Sequence, residues 1–214
     1  MNIIAEFGVN WKSREQAFFM MGQAFALGIK FIKFQLFKEE QVPEAVRDMV
    51  ITEEFARELV ETGRTYGQEV FFSVFYPEAV DICERIGVKY YKVRYADNTN
   101  MDLLNKIWAT KKIYFISIDN TILSKRAISL KCIPQYPAKE RDYYPITKEF
   151  LGISDHTSDL ELFKTCNSFN QELDLDWFEM HVKLDDNCYE SKWSKSFEEL
   201  REVLTNEKIN QTIN

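Results

Sequence analysis

Short apolar runs alternate with helix-like segments along almost the whole chain. Eight runs have the length and the aromatic or β-branched composition of buried strands. They are NIIAEFG, FIKFQLF, EVFFSVF, YYKVRYA, KIYFISID, AISLKCI, FLGISD and LDWFEMHV. Ser13, Thr52 and Pro77 stand where helices are expected to begin. Strands that alternate with helices form parallel sheets, because each helix returns the chain to the same edge.

Eight such units predict a compact (β/α)8 TIM barrel as a single domain over residues 1–205. The 214 residues of the chain lie near the lower limit of about 200 residues for this fold. Helical patterns are weak after strands 5 and 6, so reduced helices are expected there. Residues 206–214 are expected to form a C-terminal tail. An open, doubly wound sheet is the alternative, because strand periodicity does not separate the two folds.

Composition narrows the class of protein. Hydrophobic residues make up 45% and charged residues 29%, as in ordinary globular proteins. The net charge of −7 and the pI of about 5.1 argue against a nucleic-acid partner. No apolar run approaches the ~20 residues that span a membrane, and the first residues form no basic leader. The four cysteines lack CxxC spacing, which is typical of reduced thiols. We therefore expect a cytoplasmic protein with no membrane partner.

The two histidines of the chain occupy equivalent places in the pattern. His156 and His181 stand at the ends of the last two strand-like runs. The carboxyl ends of neighbouring parallel strands meet at one edge, where α/β proteins place their chemistry. Two adjacent neutral imidazoles would form half of a metal site. The alternative is a pair of structural histidines, and spacing alone does not decide between them.

Two lysines interrupt otherwise apolar runs. Lys33 lies within FIKFQLF and Lys92 within YYKVRYA. In a barrel neither face of a strand meets solvent, and a buried ammonium needs an anion or loses its proton. We expect both lysines, with Ser154 as a hydroxyl donor, to bind a phosphate or carboxylate group. The other polar residues near predicted strand ends are Glu6, Asn10, Gln35, Ser73, Arg94, Asp97, Asp119, Gln135, Tyr136, Asp155 and Glu179.

Six segments, in order along the chain, resemble the N-acetylneuraminate (sialic acid) synthase family. They are IIAEFGVN, FIKFQLF, FFSVFYPEAVDICERIGVKYYKV, LKCIPQYPA, GISDHT and FEMHVKLD. GISDHT is nearly identical to the family's GYSDHT motif, and FEMHVKLD is similar to its IEKHFTLD. The catalytic domain of that family is a TIM barrel, which agrees with the fold expected from the alternation.

The resemblance implies an enzyme that condenses phosphoenolpyruvate with an N-acylated amino sugar aldehyde to give a nonulosonic acid and phosphate. It implies a divalent metal, typically Mn²⁺ with Mg²⁺ possible, held by His156 and His181. Lys33, Lys92 and Ser154 would hold the phosphoenolpyruvate anion, with Ser73 also on the substrate-binding side. The resemblance implies that Glu6, Asp97 and Glu179 are catalytic acids near the acceptor, and that Tyr136 binds the acceptor.

Several positions depart from the family pattern. Val74 and Phe75 replace a threonine and a proline, and Trp11 replaces a histidine. Arg94, Tyr95 and Ala96 replace a Gly-Ser-Gly segment whose serine helps to bind phosphate. We therefore expect Arg94 to be an alternative phosphate ligand. Other departures fall at Ser117–Asn120, where the family has STGM, and at Glu190, which stands near the family's acceptor aspartate.

The C-terminal antifreeze-like domain of the family has no counterpart in this sequence. In the family it reaches into the partner subunit's site, so a homodimer or a separate partner domain is expected to complete the pocket. Two functional hypotheses follow. The chain is an active synthase with an altered acceptor, or it is a non-catalytic member that binds a sugar or a partner in surface glycan biosynthesis.

Overall fold

The computed structural model describes residues 1–119 and 126–213, with side chains up to residue 205. The strands are β1 (Asn2–Glu6), β2 (Phe31–Leu36), β3 (Glu69–Val74), β4 (Tyr91–Val93), β5 (Tyr114–Ile118), β6 (Ala127–Cys132), β7 (Gly152–Asp155), β8 (Trp177–Lys183) and β9 (Lys195–Ser196). The helices are α1 (Arg14–Ala26), α2 (Glu53–Tyr66), α3 (Pro77–Ile86), α4 (Met101–Thr110), α5 (Glu161–Ser168), α6 (Asn170–Leu173) and α7 (Phe197–Ile213).

The strands form one closed parallel barrel. Each of β1 to β8 pairs with the next along the chain, and β8 pairs back to β1. Glu6 is thereby the register partner of Lys33 on one side and of His181 on the other. This closure confirms the TIM barrel and excludes the open sheet, in which the first and last strands would not meet.

Local sequence signals set the helix boundaries. The side chain of Ser13 accepts a hydrogen bond at the start of α1, and Thr52 does the same for α2. Pro77 is the first residue of α3, where its missing N–H is tolerated. None of the helices in the described part of the chain is both long and apolar enough to cross a membrane.

The connections after strands 5 and 6 differ from the others. Between β6 and β7 the described chain has one short 3₁₀ helix, Glu140–Tyr143, in place of an α-helix. This confirms the reduced connection expected after strand 6. The reduced connection expected after strand 5, together with Asn120, falls on residues 120–125, which lie outside the described residues. At the C-terminus, the backbone of α7 continues through 206–213, where the sequence predicts a tail.

Side chains alternate along each strand between the helices and the barrel interior. On β2, Ile32 and Phe34 join the core beneath the helices, whereas Phe31 faces the interior. The interior is closed below by five aromatic side chains, which we call the aromatic floor: Phe31, Phe71, Tyr90, Phe115 and Trp177. Ring centroids of Phe115 and Trp177 lie 4.8 Å apart, so the floor is densely packed.

Candidate functional site

The next interior residue along each strand lies one layer above the aromatic floor. Counting two residues on from Phe31, Tyr90 and Trp177 gives Lys33, Lys92 and Glu179. Glu6, Ser73, Ser117, Cys132 and Ser154 reach the same layer from the other strands. A third layer, at the mouth, carries Gln35, Phe75, Arg94, His156 and His181. A cavity of about 440 Å³ lies above and between these groups at the carboxyl ends of the strands.

Glu179 lies between the two lysines. Its Oε1 accepts hydrogen bonds from Lys92 Nζ at 2.6 Å and from Ser154 Oγ at 2.8 Å. Its Oε2 lies 3.1 Å from Lys33 Nζ. Lys33 Nζ also lies 2.8 Å from Glu6 Oε2 and donates to Ser73 Oγ at 3.1 Å. The two lysines and two glutamates therefore form a buried cluster with no formal net charge.

The lysines differ in what they have left to offer a ligand. An ammonium has three N–H donors. Lys33 donates one hydrogen bond, to Ser73, and lies within ion-pair distance of two carboxylates, those of Glu6 and Glu179. Lys92 makes one hydrogen bond within the described chain, to Glu179. Lys33 therefore faces two carboxylates and Lys92 only one, so Lys92 has more of its positive charge left to attract an anion in the cavity.

Burial and the facing charges shift the pKa values in this cluster. Burial raises the pKa of Glu179, but Lys33 and Lys92 outweigh burial and hold it well below its usual range. Burial lowers the pKa of Lys33, but Glu179 and Glu6 reverse this and raise it. For Lys92 burial prevails over Glu179, so its pKa is lowered. Burial likewise raises the pKa of Glu6. Glu179 is therefore the firmly ionised carboxylate of the cluster.

The two imidazoles lie side by side on one wall of the cavity. Their ring centroids are 5.3 Å apart. His156 Nδ1 lies 2.9 Å from the carbonyl oxygen of Ile133, which only accepts, so Nδ1 carries the proton. His181 Nδ1 lies 2.9 Å from Glu190 Oε2. Hydrogen bonds of this kind leave the Nε2 lone pairs free and fix the ring orientations, as in metal-binding histidines.

The histidine pair fits a divalent cation as an open, two-ligand site. Burial, together with His181, holds the pKa of His156 well below its usual range, which keeps the imidazole neutral and able to ligate. Among the described residues, no group of three or more His, Cys, Asp or Glu side chains is placed to hold a metal ion. A metal here would therefore take its remaining ligands from water or substrate oxygen atoms.

The replaced Gly-Ser-Gly segment builds a new wall of the cavity. The guanidinium carbon of Arg94 lies 3.7 Å from the ring centroid of Phe75, and Arg94 Nε donates to Asp97 Oδ2 at 2.5 Å. Both Arg94 and Phe75 line the cavity. The Asp97 carboxylate lies against Arg94, and its contact with substrate stays a prediction. The Tyr95 hydroxyl donates to Asp119 Oδ2 at 2.7 Å.

Aromatic side chains form the opposite rim of the mouth. The ring of Tyr136 lies 4.2 Å from that of His156 and 5.3 Å from that of Trp193. Tyr136 and Tyr189 line the cavity and remain about half exposed. Trp11, which replaces a family histidine, donates from Nε1 to the Gly8 carbonyl oxygen at 2.9 Å and lies outside the cavity lining.

Some site residues were not assigned by the sequence analysis. Cys132 lies in the charged layer, two residues after the interior Leu130, so the period of two would have found it. Trp193 and Tyr189 come from the loop after β8, where no period applies. The sequence analysis named Glu190 only as the residue nearest to the family's acceptor aspartate. The structure places its carboxylate against the Nδ1 atom of His181.

These features define a class of protein: a TIM barrel with a buried lysine–glutamate cluster and a histidine pair at its carboxyl mouth. The model of the NeuB family matches residues 38–212, well over half of the chain. The chain therefore belongs to the NeuB family, which confirms the family expected from its motifs. No curated protein matches the sequence.

Solved structures share the fold. An N-acetylneuraminic acid (sialic acid) synthetase from Leptospira borgpetersenii serovar Hardjo-bovis, in complex with citrate, is 22% identical with a TM-score of 0.84, covering 99% of this chain and 84% of that one. The spore coat polysaccharide biosynthesis protein SpsE from Bacillus subtilis is 18% identical with a TM-score of 0.78, and the match covers 99% of this chain and 70% of that one. A truncated 3-deoxy-D-arabino-heptulosonate 7-phosphate synthase from Thermotoga maritima is 15% identical with a TM-score of 0.74, covering 100% and 87%.

Proposed function

We propose that this NeuB-family chain is a synthase of carbohydrate biosynthesis that joins phosphoenolpyruvate to the aldehyde of an N-acylated amino sugar. C3 of phosphoenolpyruvate forms a bond to the aldehyde carbon, and the aldehyde oxygen takes a proton to become a hydroxyl group. Water adds its oxygen to C2, the bond from C2 to the phosphate oxygen breaks, and phosphate leaves. The products are a nonulosonic acid and phosphate.

One observation carries this proposal: a lysine with spare donors and two imidazoles with fixed orientations share one cavity. Lys92 offers hydrogen-bond donors for an anion at the cavity floor, and Ser154 would join it by turning its O–H away from Glu179. Arg94 offers a second cationic group about one layer higher, held in place by Asp97 and Phe75. These positions suit the carboxylate and phosphate groups of phosphoenolpyruvate, which carry charge at both ends.

His156 and His181 would hold the divalent metal, Mn²⁺ or Mg²⁺. When bound, such a metal polarises a carbonyl oxygen as a Lewis acid. The Ile133 carbonyl and the Glu190 carboxylate hold the two imidazoles in fixed orientations through their Nδ1 atoms. Glu190 would thus orient His181 for the metal and would not be a contact of the acceptor sugar.

The aromatic rim supports a sugar as the acceptor. Tyr136 and Tyr189 line the cavity and are about half exposed, and aromatic rings with a polar edge suit ligands that are partly apolar and partly hydroxylated. The Nε1–H of Trp193 is buried and has no acceptor among the described residues. A ligand oxygen would satisfy it. The proposal retains a cytoplasmic location and a homodimer or separate partner domain as the source of further acceptor contacts.

The test is phosphate release from phosphoenolpyruvate with Mn²⁺ across a panel of N-acylated amino sugars. We expect release that requires both sugar and metal and that disappears in His156→Ala. Lys164→Met removes an exposed lysine of α5 far from the cluster and serves as a matched control that retains activity. If the chain binds no divalent metal at all, the enzyme reading fails.

The alternative, a non-catalytic sugar- or partner-binding member of the family, also has a specific observation in its favour. Lys33 already lies within ion-pair distance of both Glu6 and Glu179, so an incoming anion must compete with two carboxylates for it. Binding of a sugar acid without phosphate release from phosphoenolpyruvate, measured by calorimetry on the same panel, would favour this alternative.

A further inference from the structure

A second buried ion pair lies behind the histidine pair, outside the cavity lining. Lys195 Nζ lies 2.7 Å from Asp155 Oδ2, and both side chains are fully buried. Lys195 belongs to the two-residue strand β9, which pairs beside β8 through Val182. Asp155 ends β7, one residue before His156. The pair therefore ties the segment after the barrel to the turn that carries a predicted metal ligand.

The contacts of this pair lie on both sides of His156. Lys195 Nζ also donates to the carbonyl oxygen of Thr157 at 2.7 Å. The Thr157 N–H donates to Asp155 Oδ1 at 2.7 Å. One ammonium thus holds the residue before His156 and the residue after it, while the carboxylate closes the turn between them.

The main chain of His156 is fixed as well. Its N–H donates to the hydroxyl of Tyr143 at 3.0 Å, and its carbonyl oxygen accepts from the Ala138 N–H at 2.9 Å. Tyr143 in turn donates to the Ser154 carbonyl oxygen at 2.9 Å. The turn that Lys195 and Asp155 close therefore belongs to a set of contacts that hold the His156 backbone, from which the imidazole reaches the Ile133 carbonyl oxygen.

Stability alone does not account for a buried pair of this kind. Replacing a buried ion pair by apolar side chains of similar volume is often neutral or stabilising, because both charges must be removed from water. A geometric role does account for it, since two charged groups with directional hydrogen bonds hold a turn in one conformation. We propose that Lys195 is a positioning residue that fixes the direction of the His156 imidazole for metal binding.

This inference rests on the proposed function only for the identity of the bound ligand, a divalent metal. The role of Lys195 in orienting His156 can be tested without metal, from the tautomer of the imidazole. The chain contains two histidines, so a long-range ¹H–¹⁵N spectrum of the ¹⁵N-labelled protein shows two imidazoles, which His156→Gln assigns. We expect the Nδ1–H tautomer for His156 in the unaltered protein, because Nδ1 faces the Ile133 carbonyl oxygen.

The informative variant is Lys195→Met/Asp155→Asn, which removes both charges and retains an acceptor for the Thr157 N–H. We expect it to fold, to give averaged tautomer signals for His156, and to leave those of His181 unchanged. Its dissociation constant for Mn²⁺ should rise by about 10- to 100-fold, the usual effect of losing a group that orients a ligand. Lys164→Met is the control and should preserve the signals and the affinity.

A folded double variant with the original His156 signals would overturn the inference, because the pair would then serve packing alone. If that variant does not fold, Lys195→Met/Asp155→Leu supplies an apolar pair and the same measurement. Failure of both to fold would also overturn it, since the pair would be needed for folding itself. If the unaltered protein binds no Mn²⁺, the proposed function fails while the tautomer signals still decide the role of Lys195.

Discussion

Glu179→Gln is the substitution that tests the buried cluster most directly. The carboxylate accepts from Lys92 and Ser154 through Oε1 and faces Lys33 through Oε2. An amide retains one acceptor oxygen but turns an NH₂ group toward an ammonium. Lys33 still has Glu6 at 2.8 Å, so Lys92 is the cation left without a charged partner. Removing one partner of a buried ion pair costs about 3–5 kcal/mol.

For a chain of this size each kcal/mol lowers the melting temperature by roughly 2–4 °C, so a decrease on the order of 10 °C is expected. Urea unfolding followed by circular dichroism measures the free-energy change. Glu161→Gln, which removes the exposed partner of Lys164, is the matched control and should unfold like the unaltered protein.

The same variant tests whether the cluster is an anion site. Without the Glu179 carboxylate, inorganic phosphate no longer competes with a protein group for Lys92, and it should bind more tightly than to the unaltered chain. A ligand at 100 times its dissociation constant stabilises the folded state by about 2.7 kcal/mol, so phosphate should recover much of the lost stability. If Glu179→Gln unfolds like the unaltered protein, or if phosphate stabilises both equally, the assignment of Lys92 as the anion-facing lysine is wrong.

Three further substitutions or treatments test separate parts of the site. Gly8→Ala places a Cβ 2.5 Å from Glu190 Oε2 at a φ of +44°. Gly67→Ala is the control, because it has a similar backbone strain at a φ of +66° but no neighbour within 4 Å of the added Cβ. Only Gly8→Ala should therefore weaken Mn²⁺ binding, as measured by calorimetry. Burial and His181 lower the pKa of His156 in the folded protein. The contribution of His156 to the free energy of unfolding is therefore complete above the unfolded pKa near 6.5 and is lost as the pH falls below it. Urea titrations between pH 7.5 and 5 should therefore show the unaltered protein losing up to about 1.4 kcal/mol per pH unit more than His156→Gln, and parallel curves would contradict this. Burial raises the pKa of Cys132 to about 11 from 9.0, so iodoacetamide at pH 8 should modify it about a hundredfold more slowly than in the urea-unfolded chain, as followed by peptide mass spectrometry.

The positions of residues on strands could be predicted from the sequence, because side chains along a strand alternate between its two faces with a period of two. Apolar runs located all eight barrel strands, and a lysine in the middle of such a run was expected to bind an anion because neither face of a barrel strand meets solvent. Lys33, Lys92 and Glu179 each lie two residues after an aromatic residue of the floor, so their common layer follows from period alone. The pairing of Glu179 with both lysines does not, because contacts across a barrel depend on strand stagger.

The positions of residues on loops were harder to predict, because a loop has no regular period that relates its sequence to the direction of its side chains. The pairing of Asp97 with Arg94 three residues earlier, for example, did not follow from any sequence pattern. Lys195 was missed because a two-residue strand gives no periodic signal, and a lysine after a serine and a tryptophan suggests a solvated loop. Its full burial comes from the Asp155 carboxylate, 40 residues away along the chain.

The departures from the family pattern fall mainly on loops rather than on strands. Lys33, Lys92 and Glu179 lie on strands and match the family, whereas Phe75 and Arg94 follow strand ends and do not. A strand residue is constrained by its neighbours on both sides of the barrel, so the charged layer resists change. The loops carry no such constraint and surround the half of the cavity farther from the floor. We therefore expect this chain to differ from its relatives in the acceptor it selects, with the anion and metal positions retained.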